Sequence, residues 1–248
     1  MIPFEISSLT NKQFKIFIDF DGTITKNDVG EEIFKKILRV DFVKKIVEDL
    51  LTDKISSREC WQRLCELSLI KDKNRFDDLI LSQEIDPTLH RFVEYCEANS
   101  FQLFVLSDGF DYYIDKILKR ENLSHLKVFS NKLILTDDGK LTPSFPYYNA
   151  DCRSSANCKR NHIIENSGEE DYSVFIGDGN SDNDAIQYVD FIFAKDDLLK
   201  YCEIQRITYF PFRNFDDVIM RLNQLLAKKR LKKRHQAGLK RREAFMIE

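Results

Sequence analysis

The sequence predicts an α/β protein: a Rossmann-like, doubly wound parallel sheet with an inserted helical cap. Three observations predict it. Short apolar runs of β-branched and aromatic residues alternate with segments of helical spacing, the pattern of a parallel sheet covered on both faces. Between the first and second runs lies a helical stretch of roughly 59 residues, too long for a simple crossover. Clusters of Asp, Ser and Gly follow three of the runs. In an open parallel sheet, ligands bind beyond the carboxyl ends of the strands.

Residues Phe14 to Phe20 (FKIFIDF) are the first expected strand, and Asp21-Gly22-Thr23 the turn after it. From Asp28 to Asp86 apolar residues fall at helical spacing, as in Ile33, Phe34, Ile37 and Leu38, then Phe42, Val43, Ile46, Val47 and Leu50. This segment, 28–86, is the expected cap. A second strand follows at Phe101 to Leu106, a helix over Tyr112 to Arg120, and a short strand at Lys127 to Ser130. Lys132 to Leu135, then Asp137-Asp138-Gly139-Lys140, reads as a hairpin arm with an Asp-Gly turn. A helix starts near Asn157. Strands recur at Tyr172 to Ile176, Asp190 to Phe193 and Ile207 to Phe210, with a helix from Phe215. The α/β core is expected to comprise 1–27 and 87–227, with a basic tail at 228–248.

Composition narrows the classes. With 43% apolar and 32% charged residues in 248, the chain can bury a sizeable core and is not wholly disordered. Only 8 Gly and 5 Pro exclude collagen-like and low-complexity classes. The longest apolar runs, such as Phe191 to Ala194, are far short of the about 20 residues of a membrane span, so no membrane partner is expected. The start, Met1-Ile2-Pro3-Phe4-Glu5, does not read as a secretory signal, and a cytoplasmic location is expected. The six cysteines then read as free thiols. Cys152 and Cys158 stand near interesting residues, but their spacing matches no common zinc pattern. His90, His125, His162 and His235 are scattered without ligand spacing.

The net charge of −3 hides an asymmetry. From Lys228 to Glu248 nine Lys/Arg face two acids, which leaves the body of the chain at −10. An acidic body argues against a nucleic-acid partner. The tail keeps a nucleic-acid- or surface-binding reading open. Its plainer reading is a solvated extension of the last helix, frayed at its end. No motif lies there, so its removal should spare turnover.

The strand ends carry the chemistry. They are Asp19-Phe20-Asp21-Gly22-Thr23, Ser107-Asp108-Gly109 and Gly177-Asp178-Gly179-Asn180-Ser181-Asp182. Any one of them could be an ordinary capped turn. Three together deliver a site to one sheet edge. Side chains alternate along a strand, so Asp19 and Asp21 point the same way. Two close carboxylates repel unless a cation intervenes, and Asp178 adds a third. Such oxygen ligands suit a hard, hydrated cation such as Mg²⁺. Thr23, Ser107 and the backbone N–H groups of Asp108 and Gly109 suit a phosphate. Lys159, near a helix start, can neutralise its charge.

These motifs resemble the four motifs of the haloacid dehalogenase superfamily, over about residues 14–225. The helical insertion resembles the cap of the phosphoserine-phosphatase-like branch. Ser107 to Asp111, Asn157 to Arg160 and Phe193 to Leu199 are similar to the methionine-salvage phosphatases acting on 2-hydroxy-3-keto-5-methylthiopentenyl-1-phosphate. The resemblance implies a Mg²⁺-dependent phosphatase working through an aspartyl-phosphate. Asp19 would be the nucleophile. Asp21 would protonate the leaving oxygen and then deprotonate water. Asp19, Asp178 and the Asp21 carbonyl would hold Mg²⁺, while Ser107 and Lys159 bind phosphoryl oxygens. Asp21 also separates phosphatases from dehalogenases, which lack it. Asp182 would either ligate through water, orient Lys159 or cap its own turn. Asp28 would meet substrate or cap a helix. The branch uses a cap arginine for a substrate carboxylate, but Leu64 stands at that position, with Arg58 and Arg63 nearby. Trp61 reads as cap core. The expected partner is a small phosphorylated metabolite and the expected assembly a monomer or homodimer. The apolar cap favours the methylthio-bearing enol phosphate, with phosphoserine the alternative.

Overall fold

The structure is a computed structural model that describes residues 13–152 and 155–246. Positions 1–12, the beginning of the expected core, and 247–248, the end of the tail, lie outside the described residues.

The strands are β1 (Phe14–Asp19), β2 (Gln102–Phe110), β3 (Lys127–Leu135), β4 (Leu141–Ser144), β5 (Tyr172–Gly177), β6 (Phe191–Ala194) and β7 (Phe210–Pro211). They form one sheet in the order β4-β3-β2-β1-β5-β6-β7. Every neighbouring pair is parallel except the β3–β4 hairpin. The order reverses at β1, flanked by β2 on one side and β5 on the other. That topological switch opens a crevice at the carboxyl ends of β1 and β5.

Alternation along the central strands builds two cores. Phe14, Ile16 and Ile18 of β1 join Val105 of β2 and Val174 and Ile176 of β5 in one apolar cluster. Phe17, Phe104, Leu106 and Phe175 point the other way into a second. Helices α5 (Leu89–Ala98), α6 (Asp111–Arg120) and α9 (Phe215–Leu226) cover the first face through Phe92, Ile114 and Leu222. Helices α7 (Lys159–Glu165) and α8 (Asp196–Ile204) cover the second through Ile163 and Leu198. Burial on both faces is why these strands read as continuous apolar runs.

Between β1 and α5 come α1 (Val29–Ile37), α2 (Val40–Leu51), α3 (Ser57–Glu66) and α4 (Lys73–Leu81). Their amphipathic faces bury Ile33, Phe34, Ile46, Leu64 and Phe76, contiguous with the first core. The β3–β4 arm supports them. Its tip glycine, Gly139, has φ +81°, and its carbonyl accepts from Ile70 N at 2.7 Å. A Cβ there would lie 2.3 Å from Ile70 O, so only glycine permits the contact.

Several boundaries differ from expectation. β2 extends to Phe110 because pairing with β3 resumes there after a register break beyond Leu106. Ser107, Asp108 and Gly109 fall in the break, released from the regular ladder. β3 continues past Ser130 into the hairpin arm, and β7 keeps only two residues, paired with Phe193 and Ala194. The reading of the tail as a solvated extension of the last helix is corrected. α9 ends at Leu226, and a separate helix α10 (His235–Met246) docks on the molecule. Arg241, 7% exposed, explains the docking. Its guanidinium donates to Tyr188 O at 2.6 Å and Ser173 Oγ at 2.8 Å, and pairs with buried Asp190 at 3.4 Å.

Part of the tail's charge is therefore structural. Arg241→Met leaves the Asp190 carboxylate buried with fewer donors and should lower stability by about 3 kcal/mol, read by urea unfolding. Deleting 228–248 should cost at least as much stability, whereas turnover of the molecules still folded is expected to be spared.

Candidate active site

The central element is the side chain of Lys159, the first residue of α7, 2% exposed. Its ammonium donates to Asp19 Oδ1, to Asp182 Oδ1 at 2.6 Å and to Ser181 Oγ at 3.0 Å. Burial alone would lower the lysine pKa, but the charges of Asp182 and Asp19 outweigh it and keep the ammonium charged. Asp182 is fully buried, and its second oxygen accepts from Gly179 N at 3.2 Å. It therefore both orients Lys159 and closes its own turn. Asp19, 4% exposed, is pushed well above the ordinary carboxylate range by burial, with Lys159 opposing and Asp182 and Asp178 adding to the rise.

Asp178 arrives just past the end of β5, and its Oδ1 accepts from Thr23 Oγ1 at 2.6 Å. Gly22 makes room for it. Its φ is +77°, and a Cβ there would lie 2.3 Å from Asp178 Oδ2. Burial, then the Asp182 charge, pushes Asp178 up to about 6. Asp19, Asp178 and Asp182 each offer an oxygen within 4.8 Å of the others. Three carboxylates face one ammonium here, an excess of negative charge that a hard cation would balance. With Asp182 committed to Lys159 and Gly179, Asp19 and Asp178 are the side chains that fit a metal.

Asp21 stands two residues past Asp19, in the turn that follows β1. Its Oδ2 accepts from Tyr113 Oη at 2.8 Å and Ser107 Oγ at 3.0 Å, and its Oδ1 from Val29 N at 3.0 Å. Burial, reinforced by the Asp28 charge, pushes it up to about 7 despite these donors. A carboxyl in that range can give and take a proton near neutral pH.

A sequence profile of the haloacid dehalogenase-like hydrolases matches residues 16–187. The chain belongs to the haloacid dehalogenase-like hydrolases. Among curated relatives it is 30% identical over 218 residues to a 2-hydroxy-3-keto-5-methylthiopentenyl-1-phosphate phosphatase of Bacillus mycoides (strain KBAB4), covering 86% of this chain and 97% of the relative. A protein of the same description from Bacillus thuringiensis (strain Al Hakam) is 30% identical over 223 residues, covering 86% and 97%. Among solved structures, a phospho-aspartyl intermediate analogue of phosphoserine phosphatase shares the fold. Its TM-score is 0.65 at 20% identity, over 85% of this chain and 98% of that one.

In this hydrolase the remaining expected residues fall as follows. Asp108 is expected to offer its backbone N–H to a phosphate, and its carboxylate accepts from five donors. These are Ser57 Oγ and Trp61 Nε1 of α3, Ser155 Oγ, and the N–H groups of Ala156 and Asn157. It ties α3 to the loop before Lys159. Trp61 is thus more than cap core. Gly109 donates its N–H to Ser107 Oγ at 2.9 Å. Asp28 caps α1, accepting from Glu31 N at 2.7 Å. Asn157 donates to the Ser107 carbonyl at 2.8 Å and to Phe129 O at 2.9 Å. His162, held neutral by burial and by Lys127 with its pKa down to about 4, bonds Asn157 Oδ1 through Nε2 at 2.7 Å. The six cysteines are free thiols, and Cys152 and Cys158 belong to no group of three metal-type ligands among the described residues. Sequence reasoning missed Tyr113, whose only signal was an aromatic at the start of a helix after Gly109.

The raised carboxyl of Asp178 gives a test of the cation site. Its folded pKa of about 6 exceeds its ordinary 3.8. Its contribution to stability is therefore full below 3.8 and lost as pH rises through about 6. At pH 7.5 in EDTA, Asp178→Asn should melt higher than the parent. Added Mg²⁺ should raise the parent's melting temperature and leave the variant's unchanged.

Proposed function

We propose that this chain hydrolyses the phosphate monoester of a small metabolite through an aspartyl-phosphate on Asp19. The family and the phosphatases among its relatives put it among phosphoric monoester hydrolases. The observation that carries the mechanism is the meeting of Asp19, Asp178 and Lys159 on the ends of β1 and β5 and the start of α7, with Asp21 two residues past Asp19. Asp19 attacks phosphorus and the ester P–O bond breaks. Asp21 delivers its proton to the departing oxygen, then takes one from the water that releases phosphate from Asp19. Lys159 opposes the burial that favours protonated Asp19 and neutralises charge on the transferring group. Ser107, whose hydroxyl donates to Asp21, turns it toward a phosphoryl oxygen, while the Gly109 N–H and the Thr23 hydroxyl are spent on Ser107 Oγ and Asp178 Oδ1. Asp19, Asp178 and the backbone carbonyl of Asp21 would hold Mg²⁺, which supplies electrostatic shielding between nucleophile and phosphate.

Selectivity belongs to the helices of 28–86 acting as a cap over the leaving group. Leu64 is buried in cap packing, and Arg63 is exposed. Arg58 stacks its guanidinium over Tyr148 at 4.7 Å and Phe145 at 5.7 Å. The cap position where the resemblance expects an arginine for a substrate carboxylate thus holds the apolar Leu64. Together with the Bacillus relatives, this favours 2-hydroxy-3-keto-5-methylthiopentenyl-1-phosphate. Phosphoserine is the second reading, favoured by the buried Arg58 Nε, which has no hydrogen-bond partner. A nucleic-acid or surface role for the tail is disfavoured, since Arg241 and Arg234 are spent on Asp190, Tyr188 O and Ile186 O. No helix among the described residues is long and apolar enough to cross a membrane, and six free thiols accord with a cytoplasmic location.

Two measurements test this. Asp19→Asn should lower kcat by several orders of magnitude on any demonstrated substrate, and near-normal turnover would refute the nucleophile. A screen of phosphorylated metabolites, read as kcat/KM with Mg²⁺ and with EDTA, should favour the enol phosphate and lose activity in EDTA. Phosphoserine turned over at least tenfold better than the rest would move the assignment to the second reading.

A further inference from the structure

We infer that Tyr113 is a positioning residue for the proton transfer, holding Asp21 so that its Oδ1 carries the proton to the leaving group. The inference rests on the phosphatase reading above and assigns a role to a residue outside the four motifs. Tyr113, in the first turn of α6, is 2% exposed, and its ring packs against Phe20 at 6.1 Å. Its hydroxyl donates to Asp21 Oδ2 at 2.8 Å.

The close approach is built in. A Cβ at position 109 would lie 1.6 Å from Tyr113 Oη and 2.8 Å from Asp21 Oδ2. Gly109 therefore does more than donate a backbone N–H. It leaves the gap through which the tyrosine reaches the carboxyl. A carboxylate oxygen accepts about two hydrogen bonds. Oδ2 has both, from Tyr113 and Ser107, whereas Oδ1 accepts only Val29 N among the described residues. The open lone pair, and so the transferable proton, falls to Oδ1. When Ser107 turns its hydroxyl to a phosphoryl oxygen, Tyr113 becomes the one side-chain donor left on Oδ2. Without it the carboxyl can rotate and present the wrong oxygen.

The test uses leaving groups. A poor leaving group needs the proton from Asp21, while p-nitrophenolate departs with little help. The full chain and Tyr113→Phe are compared in Mg²⁺ on p-nitrophenyl phosphate and phenyl phosphate, reading kcat/KM, which reports the step in which the leaving group departs. Tyr113→Phe should lose about tenfold or more on phenyl phosphate and under threefold on p-nitrophenyl phosphate, with its melting temperature near the parent's. Equal losses on both esters, or no loss on either, would overturn the positioning role. A parent chain inactive on both esters would instead refute the phosphatase reading, which separates the two failures.

Discussion

The buried ammonium of Lys159 is the interaction on which the arrangement of the site depends. It joins Asp19 from the end of β1 to Asp182 from the turn after β5, so one cation links the two strands that flank the topological switch. Removing water from two carboxylates and an ammonium is costly, and their mutual attraction offsets this only with good geometry and further hydrogen bonds. Ser181 and Gly179 supply those bonds. The compensation is incomplete, because Asp178 brings a third negative charge. That excess of negative charge is what makes this edge receptive to a cation.

The second constraint is the break in β2. Regular pairing would have kept Ser107, Asp108 and Gly109 in the ladder. Released from it, the three residues serve three different neighbours. Ser107 reaches Asp21, Asp108 gathers the cap helix α3 and the 155–157 loop, and Gly109 clears space for Tyr113. Asp108 therefore couples cap position to the loop that precedes Lys159. Burial pushes its carboxyl upward, and its many donors oppose the rise. A hydrogen-bonded hub of this kind resists partial loss, because each donor left unpaired in the seam would carry its own desolvation cost.

Much of the fold was legible because local chemistry and tertiary role agree. Phe14 to Asp19 is apolar on both faces since it is central, and the helical spacing of 29–81 is that of four amphipathic helices on one core. Asp19, Asp21 and Asp178 were legible for a related reason: carboxylates at strand ends are conspicuous where packing would favour apolar residues. The tail misled because charge density reads as solvation. Only the contact with Asp190 shows that Arg241 is buried. The role of the Asp108 carboxylate was not legible, because an acid beside a phosphate-type serine gives no sign of which donors will reach it.

By itself, the sequence determined the class of fold, the order of its strands and helices, and the acidic chemistry at the sheet edge. Those features follow from periodicity and residue type, which act over a few residues. The tertiary structure decided which oxygen meets which donor. Tyr113 is 92 residues from Asp21, and Lys159 is 140 residues from Asp19. No local pattern encodes such pairings. They arise when the parallel crossovers bring distant strand ends and helix starts to one edge, where burial removes water and leaves each charge to find its partner in the protein.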